Sequence, residues 1–228
     1  MSHLIGKVKK IALGSTLPII KISGPVDSNM TAKLEYCLKK VDPSRADALT
    51  IVFNTGGGSP AQSIIMSEKI TTYCKKHHLP LYTFAEDICA SAGYWLLCIG
   101  DKVYADGSTL VGSIGAVSMK ASFQKMLENN NFELRGWTTN EDSFMYNQDL
   151  TRDLSEKQRD LLKSLGKTVV EHFKKHVNQY RSSKFTVEES KREDVLFQGN
   201  IWVGREAKEL GLIDEVGTYE EILRKKFP

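Results

Sequence analysis

The chain has 228 residues, 41% of them apolar and 26% charged, an ordinary globular composition able to bury one core without staples. Its net charge of +3 comes from scattered lysines, which gives nucleic-acid binding no support. The four cysteines, Cys37, Cys74, Cys89 and Cys98, form no CxxC pair and no zinc-like spacing, so they read as reduced, mostly buried thiols of a reducing compartment.

Taken in chain order, Met1 to Gly14 is basic but lacks a long apolar run, and reads as a flexible segment rather than a signal peptide or a membrane span. Either the protein is soluble, or a targeting or anchoring segment lies outside this chain. Leu17 to Ser23 reads as a strand ended by Gly24-Pro25. Ser28 to Lys40 has helical spacing and stops before Asp42-Pro43. Ala48 to Phe53 is a buried strand by its β-branched content, running into Asn54-Thr-Gly-Gly-Gly-Ser-Pro60. A helix follows with Pro60 in its first turn and Ile64, Ile65, Ile70 and Tyr73 on its inner face.

Pro80 to Ala85 predicts the next strand and Ser91 to Ile99 an apolar helix. Val103 to Ala105 and Leu110 to Val117 predict two strands around the Asp106-Gly-Ser108 turn. Ser155 opens a long helix with apolar groups at 161, 162, 165, 169, 173, 177 and 180, and short helices are expected near Arg205–Leu210 and Tyr219–Lys226. Alternating strands and helices, with no linker and no internal repeat, imply a single α/β domain with a mainly parallel sheet.

Two strand-to-helix junctions carry the chemistry. At the first, three consecutive glycines let backbone N–H groups face a concave site without steric cost. No Gly-Lys-Ser/Thr follows, which excludes a phosphate loop, and the dinucleotide spacing is absent. Such a loop suits a developing oxyanion, although a plain tight turn uses glycine as well. At the second, Cys89-Ala-Ser-Ala-Gly-Tyr94 places Ser91 among small residues at a helix start. Such a serine is more often an N-cap than a nucleophile. The two junctions in this order shift the reading towards a nucleophile.

Three segments then resemble a known family, the signal-peptide-peptidase-A and related inner-membrane serine peptidases of the Clp protease/crotonase superfamily. Phe53-Asn-Thr-Gly-Gly-Gly-Ser59 resembles its Asn-Ser-Pro-Gly-Gly-Ser loop, with Gly56 where proline is usual. Ala90-Ser-Ala-Gly-Tyr94 with Val111-Gly-Ser-Ile-Gly-Ala116 resembles its nucleophile helix and following strand. Gly199 to Gly217 resembles its C-terminal signature. The resemblance implies a Clp protease/crotonase-like fold of repeated ββα units and a serine endopeptidase with Ser91 as nucleophile. It implies an oxyanion hole from the Gly58 amide, with Gly57 beside it, and the Ala92 amide. It also implies peptide or protein substrates bound as an added strand, a homo-oligomer, and no cofactor.

The family's general base is a lysine some fifty residues beyond the serine. Here no lysine stands between Lys125 and Lys157. Lys120, the nearest upstream lysine, is a weak candidate that reads better as an exposed strand-end residue. His172 and His176 have the i,i+4 spacing of a metal chelate, but no HExxH pattern accompanies them and lysines flank them. They read as a solvated helix face, and no metal is expected. The sequence therefore leaves three functions open: a serine endopeptidase, a catalytically inactive peptide-binding homologue, and a crotonase-type acyl-coenzyme-A enzyme.

Overall fold

The computed structural model describes residues 5–9 (as backbone), 16–117, 121–133 and 149–227. The chain forms two compact units, one of residues 1–115 and 173–228, the other of residues 116–172.

The larger unit is built on a mainly parallel sheet, as the alternating pattern predicts. Strands β1 (Ile5–Lys9), β2 (Thr16–Ser23), β3 (Leu49–Thr55), β4 (Leu81–Ala90) and β5 (Lys102–Ala105) lie side by side, and β8 (Glu215–Val216) closes the edge. All neighbours on this path are parallel except β1, which pairs antiparallel with β2. Strand β1 stands where the sequence suggests a flexible segment; its five residues gain their order from pairing with β2, a partner that local alternation does not reveal.

Helices α1 (Ser28–Lys40), α2 (Pro60–His77) and α3 (Ala92–Leu97) follow β2, β3 and β4. They pack with the inner side chains Ile20, Ile51, Phe53, Met66, Ile70 and Leu96 into the larger core cluster. The other sheet face, carrying Leu17, Val52, Phe84 and Tyr104, is capped by Ile222 and Leu223 of α8 (Tyr219–Lys226). The Phe84 and Tyr104 rings stack there at 4.6 Å.

Helix α2 meets the expectation in part: Ile70 is buried and Tyr73 packs against the core. Its buried residues are Ser63, Met66, Ser67, Ile70 and Cys74, whereas Ile64 and Ile65 remain exposed. The inward stripe follows the i, i+3, i+4, i+7 rule through two serines, because small side chains bring α2 close to its neighbours. Apolar content alone misplaces Ile64 and Ile65.

Strand β4 changes partner along its length. Tyr82–Ala85 pairs with β5, and Ile88–Ala90 pairs with β6 (Leu110–Gly112). Strand β6 is shorter than the predicted 110–117, because Gly112 and Ser113 both take positive φ and turn the backbone out of the extended region. Its other edge is taken by β7 (Ile201–Val203), antiparallel. Before β7 come a 3₁₀ turn (Glu189–Lys191) and α6 (Arg192–Leu196); after it comes α7 (Gly204–Glu209).

The smaller unit contains α4 (Gln124–Asn129) and the first turns of α5 (Glu156–Arg181). Ser155 and Gln158 form a reciprocal capping box: the Gln158 amide N–H donates to Ser155 Oγ at 3.2 Å, and the Ser155 N–H donates to Gln158 Oε1 at 3.0 Å. The long helix thus starts where the sequence places it. Its last turns belong to the larger unit, where Phe173 stacks on Trp95 of α3 at 4.6 Å.

Candidate active site

The β4–α3 junction sets the serine. Ser91 has φ 53° and ψ −125°, a conformation that a side chain rarely adopts and that costs on the order of 1–3 kcal/mol. Ser91 occupies the N-cap position of α3 but makes no capping bond. The N-caps Asp27, Ser59 and Thr218 all accept a bond from their own helix. The hydroxyl of Ser91 is therefore not spent on the helix start. Its backbone is held instead, the N–H donating to the Gly112 carbonyl at 2.8 Å.

The glycine loop lies directly against this serine. A Cβ at Gly57 would stand 2.9 Å from Ser91 Cβ, 3.1 Å from the Ala90 carbonyl and 3.3 Å from the Ala92 nitrogen. Only a glycine fits there. Gly58, at φ 151°, is equally constrained, since a Cβ would meet the Val26 carbonyl at 2.4 Å. Gly56 has ordinary backbone and open surroundings, so the position where the resemblance expects proline needs no glycine.

The loop's hydrogen bonds sort its donors. The Gly57 N–H donates to Thr55 Oγ1 at 3.2 Å. The segment Gly57–Ser59 is bridged to Val26: the Val26 N–H donates to the Gly57 carbonyl at 2.9 Å, and the Ser59 N–H to the Val26 carbonyl at 2.8 Å. Gly58 lies between these bonds, so its own N–H points away from Val26 and has no partner among the described residues. The Ala92 N–H, first of α3, is likewise unpaired among the described residues, as expected of a helix start. Ser91, Gly57, Gly58 and Ala92, predicted from sequence, thus come together with two unspent N–H donors beside one unspent hydroxyl.

Asn54 braces the loop from the sheet side. Its Nδ2 donates to Asp87 Oδ2 at 2.7 Å, and its backbone carbonyl accepts from the Gly24 N–H at 3.1 Å. Gly93 admits the close approach of α3 to β3, since a Cβ there would lie 2.6 Å from Thr55 Cγ2.

The C-terminal signature is a brace. The Asn200 carbonyl accepts from the Ser113 N–H at 2.6 Å, and the Trp202 ring lies where a Cβ at Gly112 would fall. Tyr94 Oη donates to the Leu212 carbonyl at 2.9 Å. Arg181, 1% exposed, donates to Asp214 Oδ2 at 2.9 Å and to the Gly211 carbonyl at 2.7 Å. Asp214 in turn accepts from the Val103 N–H at 2.8 Å. The sequence offers no sign that Arg181 is buried, because a lone arginine at a helix end reads as a solvated one.

No described residue hydrogen-bonds to the Ser91 hydroxyl. Lys120, and residues 134–148 within the lysine-free stretch, lie outside the described residues. His172 is exposed, as expected, but the reading of His176 needs correcting. His176 is not on a solvated face: its Nε2 lies 3.0 Å from the Trp95 carbonyl, and its ring packs at 5.1 Å on Trp95 and 4.9 Å on Tyr180. Burial pushes it down to about 4, against a partly offsetting bond to Trp95, so it is neutral near pH 7. The helix stripe of Phe173, Val177 and Tyr180 carries His176 inward with it. All four cysteines are buried free thiols, and burial raises their pKa values. No helix among the described residues is long and apolar enough to cross a membrane.

Comparison with known proteins places the chain in a family. The profile described as "Peptidase family S49" matches residues 74–226. A protein of Brucella abortus named Na(+)/H(+) antiporter NhaA is 30% identical over 227 residues, covering 95% of this chain and 30% of that protein. Protease 4 of Haemophilus influenzae is 27% identical, covering 82% of this chain and 29% of its own length. The chloroplastic serine protease SPPA of Arabidopsis thaliana is 24% identical, covering 87% and 29%. The chain spans less than a third of each of these relatives, and the antiporter name describes that longer protein. The profile covers more than half of this chain, including Ser91 and the C-terminal brace: the chain belongs to peptidase family S49.

Proposed function

We propose that the chain is a serine endopeptidase in which the Ser91 hydroxyl attacks a peptide carbonyl. One observation carries this reading: a strained, uncapping serine whose Cβ abuts Gly57, beside the N–H groups of Gly58 and Ala92, both unpaired among the described residues. Attack forms the Oγ–C bond and moves charge onto the carbonyl oxygen, which the two amides would hold. Collapse breaks the C–N bond, and the amine leaves with the proton that an acceptor took from the Ser91 hydroxyl; water then hydrolyses the acyl-enzyme and a proton returns through the acceptor to Oγ. Gly57 N–H is already bound to Thr55, so Gly58 is the loop's donor. Peptides are the favoured substrate class, bound in extended form beside the glycine loop by backbone hydrogen bonds.

A homo-oligomer suits this reading, because the hydroxyl needs a proton acceptor and a neighbouring subunit can supply one. A fluorophosphonate probe should label Ser91, and Ser91→Ala should abolish the labelling. A native oligomer that neither takes the probe nor cleaves any peptide would sink the proposal.

The stretch without lysine between Lys125 and Lys157 favours a second reading, a peptide-binding homologue without turnover. It predicts equal peptide Kd for the natural chain and Ser91→Ala, with no cleavage at any pH.

A further inference from the structure

We propose that Ser63 is a positioning residue that fixes the spacing of the two oxyanion donors; this rests on the Ser91 reading. The Gly58 and Ala92 amides belong to separate junctions, β3–α2 and β4–α3, and a shared oxygen requires them at one fixed separation. Ser63, fully buried in the first turns of α2, spans the two. Its Oγ lies 3.1 Å from the Ala92 carbonyl and 3.2 Å from the Ser59 carbonyl. The hydroxyl has one proton to donate. The Ser59 carbonyl already receives the Ser63 N–H at 3.1 Å, so the proton is better used on Ala92. Among the described residues this is the only side-chain hydrogen bond to the backbone of residues 91–93.

Helix formation and packing do not explain a serine here. Alanine has the higher helix propensity and hides no polar group. Ser67, one turn further along the same buried face, supplies the contrast: its hydroxyl is buried with no hydrogen-bond partner among the described residues. Two serines of similar burial on one helix thus differ in what they touch, and only Ser63 reaches the residue after the nucleophile.

Ser63→Ala and Ser67→Ala test this in the native protein. Amide hydrogen exchange over residues 90–95 should quicken about tenfold or more in Ser63→Ala and stay unchanged in Ser67→Ala. With a peptidyl phosphonate directed at Ser91, kinact should fall about tenfold or more in Ser63→Ala while KI stays within about twofold, since a displaced donor weakens charge stabilisation and not peptide recognition. Unchanged exchange around α3, or equal effects of the two substitutions, overturns the positioning role. So does a parallel change of kinact, KI and melting temperature. If the natural chain takes no phosphonate at all, the Ser91 reading fails, and the exchange measurement alone still decides whether Ser63 holds α3.

Discussion

Ser59 and Ser91 both stand at helix N-cap positions, and they do opposite things. Ser59 spends its oxygen on the Gln62 N–H, whereas Ser91, at φ 53°, makes no bond to its helix. The residue types around Ser91 were legible, since small neighbours and an upstream glycine triplet are sequence features. The positive-φ conformation of Ser91 was not, because it is held by a hydrogen bond to Gly112 and the close approach of Gly57, neither adjacent in sequence. His176 was misread for a related reason: lysines beside it on the helix suggested water, while the ring faces Trp95.

His176 gives a prediction in pH. Its folded pKa lies near 4 against an ordinary 6.5, so the unfolded chain takes up a proton first as pH falls. Stability is fully present above about pH 6.5 and declines towards pH 4, with a limit on the order of 3 kcal/mol. Urea unfolding across that window should show the decline, and His176→Gln should flatten it. An equally steep decline in the variant would remove His176 as its source.

At the scale of elements, the strand and helix order was readable and the faces less so. Helix α1 begins and ends at Ser28 and Lys40 as predicted, because Asp27 caps it and lysines close its last turn. Helix α2 exposes Ile64 and Ile65 because the stripe that matters contains Ser63 and Ser67. Strand β7 and the short β8 escaped notice, since two or three residues carry no period.

The end of α5 and the loop after α7 are joined by Arg181, buried with its guanidinium shared between Asp214 and Gly211. Removing one partner of such a pair leaves a carboxylate and a carbonyl short of donors, at a cost of about 3–5 kcal/mol. Arg181→Ala should therefore lose about that much in denaturant unfolding. A loss below about 1 kcal/mol would mean that water replaces the guanidinium freely.

For the whole molecule, the features that identify the family and the features that would perform the reaction are different sets. The segment from Gly199 to Gly217 matches the family pattern closely, yet its contacts hold strands rather than substrate. Gly204, for instance, lies so close to the Asp106 carbonyl that a Cβ would stand 1.9 Å from it. A chain can keep this frame intact whatever happens to its proton acceptor, which is why membership was legible and competence was not. Two compact units were not legible either, because the glycines and serines near residue 115 sit within the run Leu110 to Val117, which reads as a strand rather than a boundary.

The brace also has a consequence in time. The Ser91 amide leans on Gly112, and Gly112 with Ser113 leans on residues 200–202, so the serine's twisted backbone depends on a segment made more than a hundred residues later. During synthesis the ribosome has exposed Ser91 long before it delivers Asn200. Until then β6 lacks its antiparallel partner β7, and the Ser113 N–H lacks the Asn200 carbonyl. The twisted conformation at Ser91 is therefore a property of the finished chain.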